Sequence, residues 1–460
     1  MCDFDLNSLN KEKSVFFIGI GGISMSALAQ ILKNDGFSVS GSDFSDSETV
    51  EELRRCGINV AIGHNAENVN GAGLVVYTAA IKSDNPELCR AKELGIPAIE
   101  RAVLLGAMMK RYRYPVAVSG THGKTTATSM ISHVLCESDM DPTILVGGVL
   151  PLIGGNFRDG GKDYFVTEAC EYCASFLKFF PLYSIILNIE EDHLDYFKDL
   201  DDIIDCFRSF VAKTPEVGAV IANFDDENVK SAVASSDKKI ITYGVKNENC
   251  DYIAKNITFN EEGFSTFDVY KKGEFFETVS LKVPGIHNVS NALAVIAVSE
   301  LLGVSKDGIK KGLLSFSGTN RRFEYKGEVK GAKIYDDYAH HPTEIKATLS
   351  AAKATGAKRI RCVFQPHTYT RTLTLKDEFI KCFSDCDDLV ITDIFAAREK
   401  DTGLIHSKDL VEEIEGAQYI KEFSDIEKYF YDTAEEGDLI FTMGAGNVYK
   451  IAENIVKSDE

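Results

Sequence analysis

The sequence predicts an α/β fold with mostly parallel sheets. Short β-branched runs such as residues 14–18 alternate with longer stretches of helical spacing such as residues 25–32, which is the pattern of such folds. Glycine-rich turns join a strand to a helix at residues 19–24 and 119–126. The chain has 460 residues, which is too long for one hydrophobic core, so we expect two or three domains.

The first domain boundary follows from a change in composition. Residues 75–77 are predicted as a strand of the first unit, and the polar stretch 111–115 contains a proline before the next predicted strand, 116–118. We place the boundary there. The central unit continues through predicted strands at residues 184–187 and 218–221.

A turn-rich linker at residues 317–320 marks the second boundary. Before it, residues 241–283 alternate apolar and polar side chains, which predicts a small antiparallel insertion. After it, the predicted strands are residues 333–335, 360–364, 389–392 and 439–442. The predicted domains are residues 1–112, 113–319 and 320–460.

Composition and charge disfavour several classes of protein. The formal net charge is −20 at pH 7, and an acidic surface repels nucleic acids and anionic membranes. The start carries no basic leader with an apolar run, and no apolar stretch is long enough to span a bilayer. Eleven scattered cysteines suit reduced thiols. We therefore expect a cytoplasmic protein without nucleic-acid binding or membrane insertion.

The strongest motif is a shortened phosphate-binding loop at residues 119–126, the phosphate loop. It follows a strand and opens a helix, where main-chain N–H groups favour an anion. Gly123 lets the backbone approach the phosphates, Lys124 reaches β- and γ-phosphate oxygens, and Thr125 offers a hydroxyl to Mg²⁺. The alternative, a plain glycine turn, is disfavoured by the position of Gly-Lys-Thr at the strand-to-helix junction.

The turn at residues 19–24 is close to a dinucleotide-binding fingerprint, with Ser24 in place of its third glycine. Asp43 follows about twenty residues later, where such an acid binds a ribose hydroxyl. The alternative is that the glycines only permit close packing of helix and strand. We favour the binding of a nucleotide diphosphate.

Acidic side chains and a histidine follow two predicted strands of the central unit. Glu168 and His193 lie at strand ends, which face the ligand crevice of a parallel sheet. Both suit Mg²⁺, which prefers oxygen and tolerates imidazole. For Glu190, Glu191 and Asp192 we favour a structural role at a helix start, where acids are common.

Two further clusters are candidate sites. Residues 285–291 begin a helix, and His287 and Asn288 suit either helix capping or an adenine edge, so both interpretations stay open. Residues 336–342 place two acids, a tyrosine and two histidines before a helix-starting proline, which is too polar for a core. Arg321, Arg322 and Arg371 supply fixed positive charge. The pair next to the linker, Arg321 and Arg322, is better suited to closing onto a phosphate.

The motifs described above occur in one order along the chain, and in that order the chain resembles the Mur ligases over nearly its whole length. The marks of the resemblance are residues 19–26, 120–125, 168–177, 188–195, 285–291, 321–323, 336–342, 365–372 and 396–400. The family implies a Rossmann-like N-terminal UDP-binding domain, a central P-loop ATPase domain and a Rossmann-like C-terminal domain that closes over the site.

The resemblance also implies a reaction, the ATP-dependent ligation of L-alanine to UDP-N-acetylmuramate in peptidoglycan precursor synthesis. The muramoyl carboxylate attacks the γ-phosphate of ATP, and the amine of alanine then attacks the carbonyl of the acyl phosphate. The first step brings like charges together. Lys124, Mg²⁺ and an arginine are therefore needed to offset the repulsion.

The resemblance implies binding and catalytic roles for the residues of this chain that match the family's motifs. The expected UDP-sugar site is Gly19, Gly21, Gly22, Ile23, Ser24, Asp43, His64 and Thr78. The expected ATP site is Gly120, Thr121, His122, Gly123, Lys124, Thr125, Thr126, His287, Asn288, Asn291 and Arg322. Alanine is expected at Tyr338, His340 and Arg371, with Arg371 on its carboxylate. Magnesium is expected at Thr125, Glu168 and His193. The residues expected to act in catalysis are Lys124, Glu168, Arg322 and His340.

Two segments depart from the family's pattern. Cys170 and Cys173 stand where the family commonly has aspartates, although Glu168 is retained. We interpret this Cys-x-x-Cys pair as plain thiols, because no second pair completes a zinc site. Thr368 stands where the family commonly has arginine, which bears on how strictly alanine is selected.

Other functions compete with this interpretation. A close rival is a ligase that adds a peptide, glycine or serine to the same sugar nucleotide. A nicotinamide-dependent oxidoreductase rests on the N-terminal turn alone and leaves the phosphate loop unexplained. A non-catalytic ATP-binding partner of cell-wall enzymes is disfavoured because Lys124, Glu168 and His193 are all present. We expect a monomer or a homodimer.

Overall fold

The computed structural model describes residues 4–9, 13–78, 80–397 and 399–458. Arg398, within one mark of the resemblance, lies outside the described residues. The described elements form three α/β domains, each with its own sheet. Among the described residues, the structure contains no helix with the length and apolar character needed to cross a bilayer.

The N-terminal domain is a parallel sheet with the strand order β3-β2-β1-β4-β5. Its strands are β1 (Ser14–Ile18), β2 (Val39–Asp43), β3 (Asn59–Ile62), β4 (Ala72–Tyr77) and β5 (Ala98–Glu100). Its helices are α1 (Ile23–Asn34), α2 (Glu48–Arg55), α3 (Pro86–Glu93) and α4 (Arg101–Met109). The predicted strand 14–18 and helix 25–32 are confirmed. The strand order reverses beside β1, and ligands bind at the carboxyl ends of strands at such a point.

The central domain contains a ten-stranded sheet in the order β15-β14-β13-β12-β11-β10-β6-β9-β7-β8. Its strands are β6 (Tyr114–Ser119), β7 (Thr143–Leu150), β8 (Gly155–Arg158), β9 (Tyr164–Glu168), β10 (Tyr183–Ile186), β11 (Ala219–Asn223), β12 (Ile240–Gly244), β13 (Tyr252–Phe259), β14 (Phe264–Lys271) and β15 (Glu274–Pro284). Its helices are α5 (Lys124–Cys136), α6 (Leu200–Val211), α7 (Glu227–Val233), α8 (Ile286–Leu301) and α9 (Lys306–Ser315).

The prediction of an antiparallel insertion over residues 241–283 is correct only from β13 onward. β12 runs parallel to β11 and belongs to the main sheet. β14 runs antiparallel to both β13 and β15, as predicted. They continue the main sheet through the pairing of β13 with β12, and do not form a separate unit.

The C-terminal domain contains a six-stranded sheet in the order β16-β17-β21-β18-β19-β20. Its strands are β16 (Glu324–Val329), β17 (Ala332–Asp337), β18 (Arg359–Phe364), β19 (Asp388–Ile391), β20 (Gln418–Tyr419) and β21 (Asp438–Met443). Its helices are α10 (Pro342–Lys353), α11 (Tyr369–Thr374), α12 (Lys376–Cys382), α13 (Ser407–Val411), α14 (Phe423–Thr433) and α15 (Tyr449–Lys457). Among the described strands of this sheet, only β16 pairs antiparallel, at the edge, and the sequence did not predict it.

The N-terminal and central domains share an apolar core, whereas the C-terminal domain has its own. Leu28 and Ile31 of α1 belong to the same buried cluster as Phe165 and Phe176 of the central domain. The two clusters of the C-terminal domain contain no central-domain residue. Among the described residues, the central and C-terminal domains therefore meet mainly through polar contacts.

Candidate active site

The phosphate loop joins β6 to α5, as predicted. Gly120 has φ +140° and Gly123 has φ +81°, which are conformations that glycine adopts without strain. The His122 N–H donates to Asn188 Oδ1 at 2.8 Å, and the Thr121 N–H donates to the Asn188 carbonyl at 3.2 Å. The loop is thus braced by the segment that follows the neighbouring strand β10.

Lys124 lies at the start of α5 and is paired with Glu171. Its Nζ donates to Glu171 Oε2 at 3.0 Å and to the Thr121 carbonyl at 3.1 Å. The Glu171 side chain is only 3% exposed. Burial lowers the pKa of Lys124, but Glu171, Cys170 and Glu168 together raise it more, and the net pKa lies above its ordinary value. The lysine is therefore charged and held at the mouth of the loop.

Thr125, Glu168 and His193 lie at or beyond the carboxyl ends of three neighbouring strands of the central sheet. Glu168 ends β9, Thr125 is the second residue of α5 after β6, and His193 lies in the loop after β10; β6 lies between β9 and β10. Glu168 Oε1 accepts the Gly147 N–H at 2.5 Å. His193 Nε2 lies 3.8 Å from Asp192 Oδ2. The predicted metal donors thus share one edge of the sheet.

A cavity of about 870 Å³ separates the central domain from the C-terminal domain. Its lining includes the predicted ATP residues His122, Gly123, Thr126, His287, Asn288, Asn291 and Arg322. Concave sites of this size hold drug-sized ligands. The structure therefore gathers these predicted residues around one space large enough for a nucleoside.

The two interpretations of residues 285–291 can now be separated. Gly285 is the N-cap of α8, with no side-chain capping bond. The Asn288 amide donates to the Pro284 carbonyl at 2.7 Å, and the Asn291 amide donates to Asn288 Oδ1 at 3.2 Å. Burial lowers the pKa of His287 to about 4, so this ring is neutral. The side chains of His287, Asn288 and Asn291 therefore do not cap the helix, and they line the cavity.

The assignment of Glu190, Glu191 and Asp192 to a helix start is wrong. No helix begins there, and α6 starts only at Leu200 with Asp199 as its N-cap. The segment contacts the C-terminal domain. Glu190 Oε2 accepts the Thr343 hydroxyl at 2.6 Å, and His341 Nε2 donates to the Glu191 carbonyl at 3.1 Å.

His122 lies between two carboxylates at this domain junction. Its Nε2 is 3.3 Å from Glu190 Oε2, and its Nδ1 is 3.4 Å from Glu344 Oε1. His122, Glu190 and His341 could geometrically hold a metal ion, because their donor atoms lie within 4.8 Å of one another. Burial lowers the pKa of His122, but the two carboxylates raise it more, to about 9. We interpret the cluster as an ion-pair junction, since both ring nitrogens of His122 lie against carboxylates.

This junction predicts a pH-dependent domain closure. The pKa of His122 is raised from 6.5 to about 9, so its ion pairs contribute fully below the ordinary value and are lost as the pH rises through about 9. We expect the ligand-free protein to expand above about pH 9. Small-angle scattering measures this as a larger radius of gyration. A His122→Gln variant, which cannot titrate there, should lack the step, and an unchanged radius in the wild type would contradict the prediction.

Tyr338 and His340 follow β17 and lie beside the paired arginines. The guanidinium groups of Arg321 and Arg322 lie 5.0 and 4.9 Å from the Tyr338 ring centre. His340 Nδ1 donates to the Tyr338 carbonyl at 2.9 Å. Burial lowers the pKa of His340 to about 3, and the ring is neutral near physiological pH.

Arg371 reaches across from the C-terminal domain to Asp192. The Arg371 guanidinium donates to Asp192 Oδ1 at 2.8 Å and to Oδ2 at 3.2 Å. A second cavity, of about 320 Å³, lies here and is lined by Asp192, His193, His367, Thr368 and Arg371 among others. The three residues predicted to bind the amino acid are not all in its lining, because Tyr338 and His340 lie beside it.

Thr368 shapes the helix that carries Arg371. It is the N-cap of α11, and its hydroxyl accepts the Arg371 N–H at 3.4 Å. Its φ of +66° is unusual for a β-branched residue. The position where the family commonly has arginine therefore supplies a cap and part of the cavity wall in this chain.

The predicted UDP-sugar residues lie along the carboxyl edge of the N-terminal sheet. Gly19, Gly21, Gly22, Ile23 and Ser24 form the turn from β1 into the start of α1. Asp43 ends β2, and its Oδ2 accepts the Gly21 N–H at 2.8 Å. A Cβ at Gly21 would lie 2.9 Å from that oxygen, so a larger residue at this position would displace the Asp43 side chain.

His64 and Thr78 complete this edge. His64 Nδ1 lies 2.8 Å from Glu87 Oε2. Glu87 is fully buried and also accepts the Ser42 hydroxyl at 2.8 Å and the Asn68 amide at 2.7 Å. Thr78 follows β4, and its hydroxyl accepts the Ala80 N–H at 3.3 Å. Glu87, which the sequence did not single out, thus fixes the His64 ring.

Cys170 lies between charged groups of two domains. Burial raises its pKa to about 11, although Lys124 and Arg101 are close enough to oppose this. The thiol is therefore protonated at neutral pH, in agreement with a plain thiol.

Comparison with known proteins places these features in one family. Models of the Mur ligase family match over residues 14–113 (catalytic domain), 118–299 (middle domain) and 321–446 (glutamate ligase domain). The UDP-N-acetylmuramate–L-alanine ligase of Acetivibrio thermocellus is 55% identical over 98% of this chain and 97% of its own length. That of Caldanaerobacter subterraneus is 52% identical over 98% and 99%.

Solved structures agree with this placement. A UDP-N-acetylmuramate-alanine ligase of Thermotoga maritima superposes with a TM-score of 0.80 at 30% identity, over 97% of this chain and 99% of the other. A murein peptide ligase of Psychrobacter arcticus gives 0.71 at 26% identity, over 97% and 98%. The chain belongs to the Mur ligase family.

Proposed function

We propose that this chain is an ATP-dependent ligase that joins L-alanine to the carboxylate of UDP-N-acetylmuramate, in peptidoglycan precursor synthesis. The observation that carries the proposal is that arginines of the C-terminal domain reach the carboxyl edge of the central sheet, where the phosphate loop lies. Arg322 lines the larger cavity together with His122 and Gly123 of that loop, and Arg371 lines the smaller cavity together with His193. Relatives of that name, at 50–55% identity over nearly the full chain, support it.

The charges on these groups suit the first step. A carboxylate that attacks a polyphosphate meets strong repulsion, and preorganised cations offset it in a site that excludes water. Lys124 is charged and lies at the start of α5, whose N-terminus also favours an anion. Arg322 lines the large cavity opposite the phosphate loop and would approach the phosphates from the other domain.

The donor set fits Mg²⁺, which prefers oxygen ligands and keeps several waters. Thr125 would offer a hydroxyl, Glu168 a carboxylate and His193 an imidazole, from segments at the carboxyl ends of three neighbouring strands. The ion would neutralise charge on the phosphates as the bond to the γ-phosphate breaks. The Gly147 N–H holds the Glu168 carboxylate in position for this role.

Gly147→Ala is expected to weaken this arrangement. A Cβ at Gly147 would lie 2.9 Å from both carboxylate oxygens of Glu168, so the side chain must move. Displacing a group that orients a metal ligand commonly lowers metal affinity by roughly 10–100-fold. We expect the Mg²⁺ concentration for half-maximal activity to rise by about that factor. Gly155→Ala in the same hairpin, with nothing within 4 Å of its Cβ, is the control. An unchanged Mg²⁺ requirement would argue against Glu168.

The amino acid would be held at the second cavity, with its carboxylate on Arg371. The wall contains Thr368, Tyr172 and His193. The Tyr172 hydroxyl donates to Asp195 at 3.0 Å, which fixes the ring at this wall. A preformed peptide is the rival second substrate, and the murein peptide ligase of Psychrobacter arcticus shares the fold at 26% identity. The higher identity of the alanine ligases favours alanine.

The deciding experiment is phosphate release by purified protein with Mg-ATP and UDP-N-acetylmuramate, with each amino acid or peptide added in turn. We expect release that depends on both the sugar nucleotide and L-alanine, and a product heavier by one alanine residue. Release with a tripeptide, glycine or serine would change the second substrate and direct attention to Thr368. No release with any partner, despite ATP binding, would favour a non-catalytic protein. The cytoplasmic location and the monomer or homodimer stay predictions.

A further inference from the structure

The Asp192–Arg371 pair is the most complete ion pair between the two domains that form the cleft. Arg371 Nε lies 3.2 Å from Asp192 Oδ1, and its terminal nitrogen contacts both carboxylate oxygens, at 2.8 and 3.2 Å. Each side chain is about 11% exposed. A planar guanidinium fork matches a carboxylate in this way. Asp192 therefore occupies the position in which Arg371 would hold a substrate carboxylate.

An amino acid carries both charges of such a pair. Near neutral pH its carboxylate needs a cation and its ammonium needs an anion, and a nearly buried charge without a partner is costly. A site for a zwitterion therefore requires one group of each sign. In the ligand-free protein the two groups can neutralise each other, as Asp192 and Arg371 do.

The other carboxylates that line the second cavity are committed or exposed. Asp195 accepts the Tyr172 hydroxyl at 3.0 Å, and Glu399 accepts the Thr370 N–H at 2.9 Å. Glu191 is exposed. Within the part of the chain that the structure describes, Asp192 is thus the lining carboxylate whose charged partner an amino acid would displace.

Asp192 is also fixed independently of Arg371. Its Oδ1 accepts the His193 N–H at 2.7 Å, so the carboxylate stays in place if Arg371 turns to a ligand. His193, the neighbouring residue, is one of the predicted magnesium ligands. An ammonium held by Asp192 would therefore lie close to the reacting acyl phosphate.

We propose that Asp192 binds the ammonium of the incoming amino acid, while Arg371 binds its carboxylate. The inference rests on the proposed function and deepens it. Alanine enters between the two side chains, and each exchanges its partner for one end of the substrate. The bound ammonium loses one proton to solvent, and the resulting amine attacks the acyl carbon. The bond from that carbon to the phosphate oxygen breaks, and phosphate leaves with the electron pair and takes up the second proton from the nitrogen.

The test compares three readouts for Asp192→Asn. Loss of a charge-assisted bond should raise the KM for alanine by roughly 10–100-fold. Propionate has a carboxylate and no amine, and it competes with Asp192 for Arg371. It should therefore inhibit the variant at least as well as the wild type. Hydroxylamine, an uncharged nucleophile that converts the acyl phosphate to a hydroxamate and phosphate, should give near-wild-type product.

Each other outcome is decisive. If Asp192→Asn weakens alanine binding, inhibition by propionate and product formation with hydroxylamine to the same extent, Asp192 has a structural role. An unchanged KM for alanine would also overturn the proposal. Asp201→Asn, which removes an exposed charge on α6, is the matched control. If Asp192→Asn does not fold, Asp192→Ser keeps an oxygen for the His193 N–H.

If the wild type ligates glycine or serine instead of alanine, the same test applies to that substrate. A wild type that ligates no amino acid would overturn the proposed function and this inference together.

Discussion

Lys124→Ala is expected to abolish ligation, with kcat lower by at least roughly 10²–10³, the usual effect of removing one preorganised electrostatic partner. Lys124 is the charged lysine of the phosphate loop, and its Nζ lies 3.0 Å from Glu171. Without it, the γ-phosphate loses its nearest fixed cation while the attacking carboxylate approaches. Steady-state phosphate release with UDP-N-acetylmuramate and alanine measures the loss.

A loss of folding would imitate this result, because the variant leaves Glu171 nearly buried without its cation. The double variant Lys124→Ala, Glu171→Gln removes that unpaired charge. It should melt close to the wild type and remain inactive. Near-normal turnover in either variant would overturn the assignment of the ATP site.

Arg371→Ala should raise the KM for alanine by roughly 10–100-fold, because a charge-assisted contact to a carboxylate contributes about 1.5–3 kcal/mol. The KM for ATP should change little, since Arg371 lines the smaller cavity and not the one beside the phosphate loop. Initial rates at varied alanine and varied ATP separate the two effects.

The variant also leaves Asp192 without its arginine, so stability needs its own control. Lys353→Ala removes an exposed cation of the same domain whose partner is Asp385, and it should leave both KM values unchanged. Equal increases in both KM values for Arg371→Ala would count against a carboxylate-binding role and favour a general part in domain closure.

The sequence predicted the parts of the site that are encoded locally. The phosphate loop requires a strand, a glycine turn and a helix within a few residues, and Lys124 therefore lies where expected. Asp43 and Glu168 end buried parallel strands, so the fold class alone brings each to a carboxyl edge. The antiparallel strands from β13 to β15 also follow a local alternation.

Contacts between distant residues could not be predicted from local patterns. Asp192 has the local appearance of a helix start, but its partner Arg371 lies 179 residues away. Glu190 contacts Thr343, 153 residues away. The edge strand β16 was missed because Glu-Tyr-Lys-Gly-Glu-Val contains no apolar run, and only its pairing with β17 makes it a strand. The ion pair between Glu171 and Lys124 was overlooked because only the folded structure brings the two side chains together.

The polar junction between the central and C-terminal domains has a kinetic consequence. Its contacts, from Arg371 to Asp192 and from His122 to Glu344, are made by groups that also border the two cavities. A product enclosed there leaves only when those contacts separate, so the rate of domain opening sets an upper limit on turnover. Both pairs are largely buried while the domains are closed, so salt screens them mainly after the domains separate. Added salt is therefore expected to slow the reclosing of the domains more than it changes their opening.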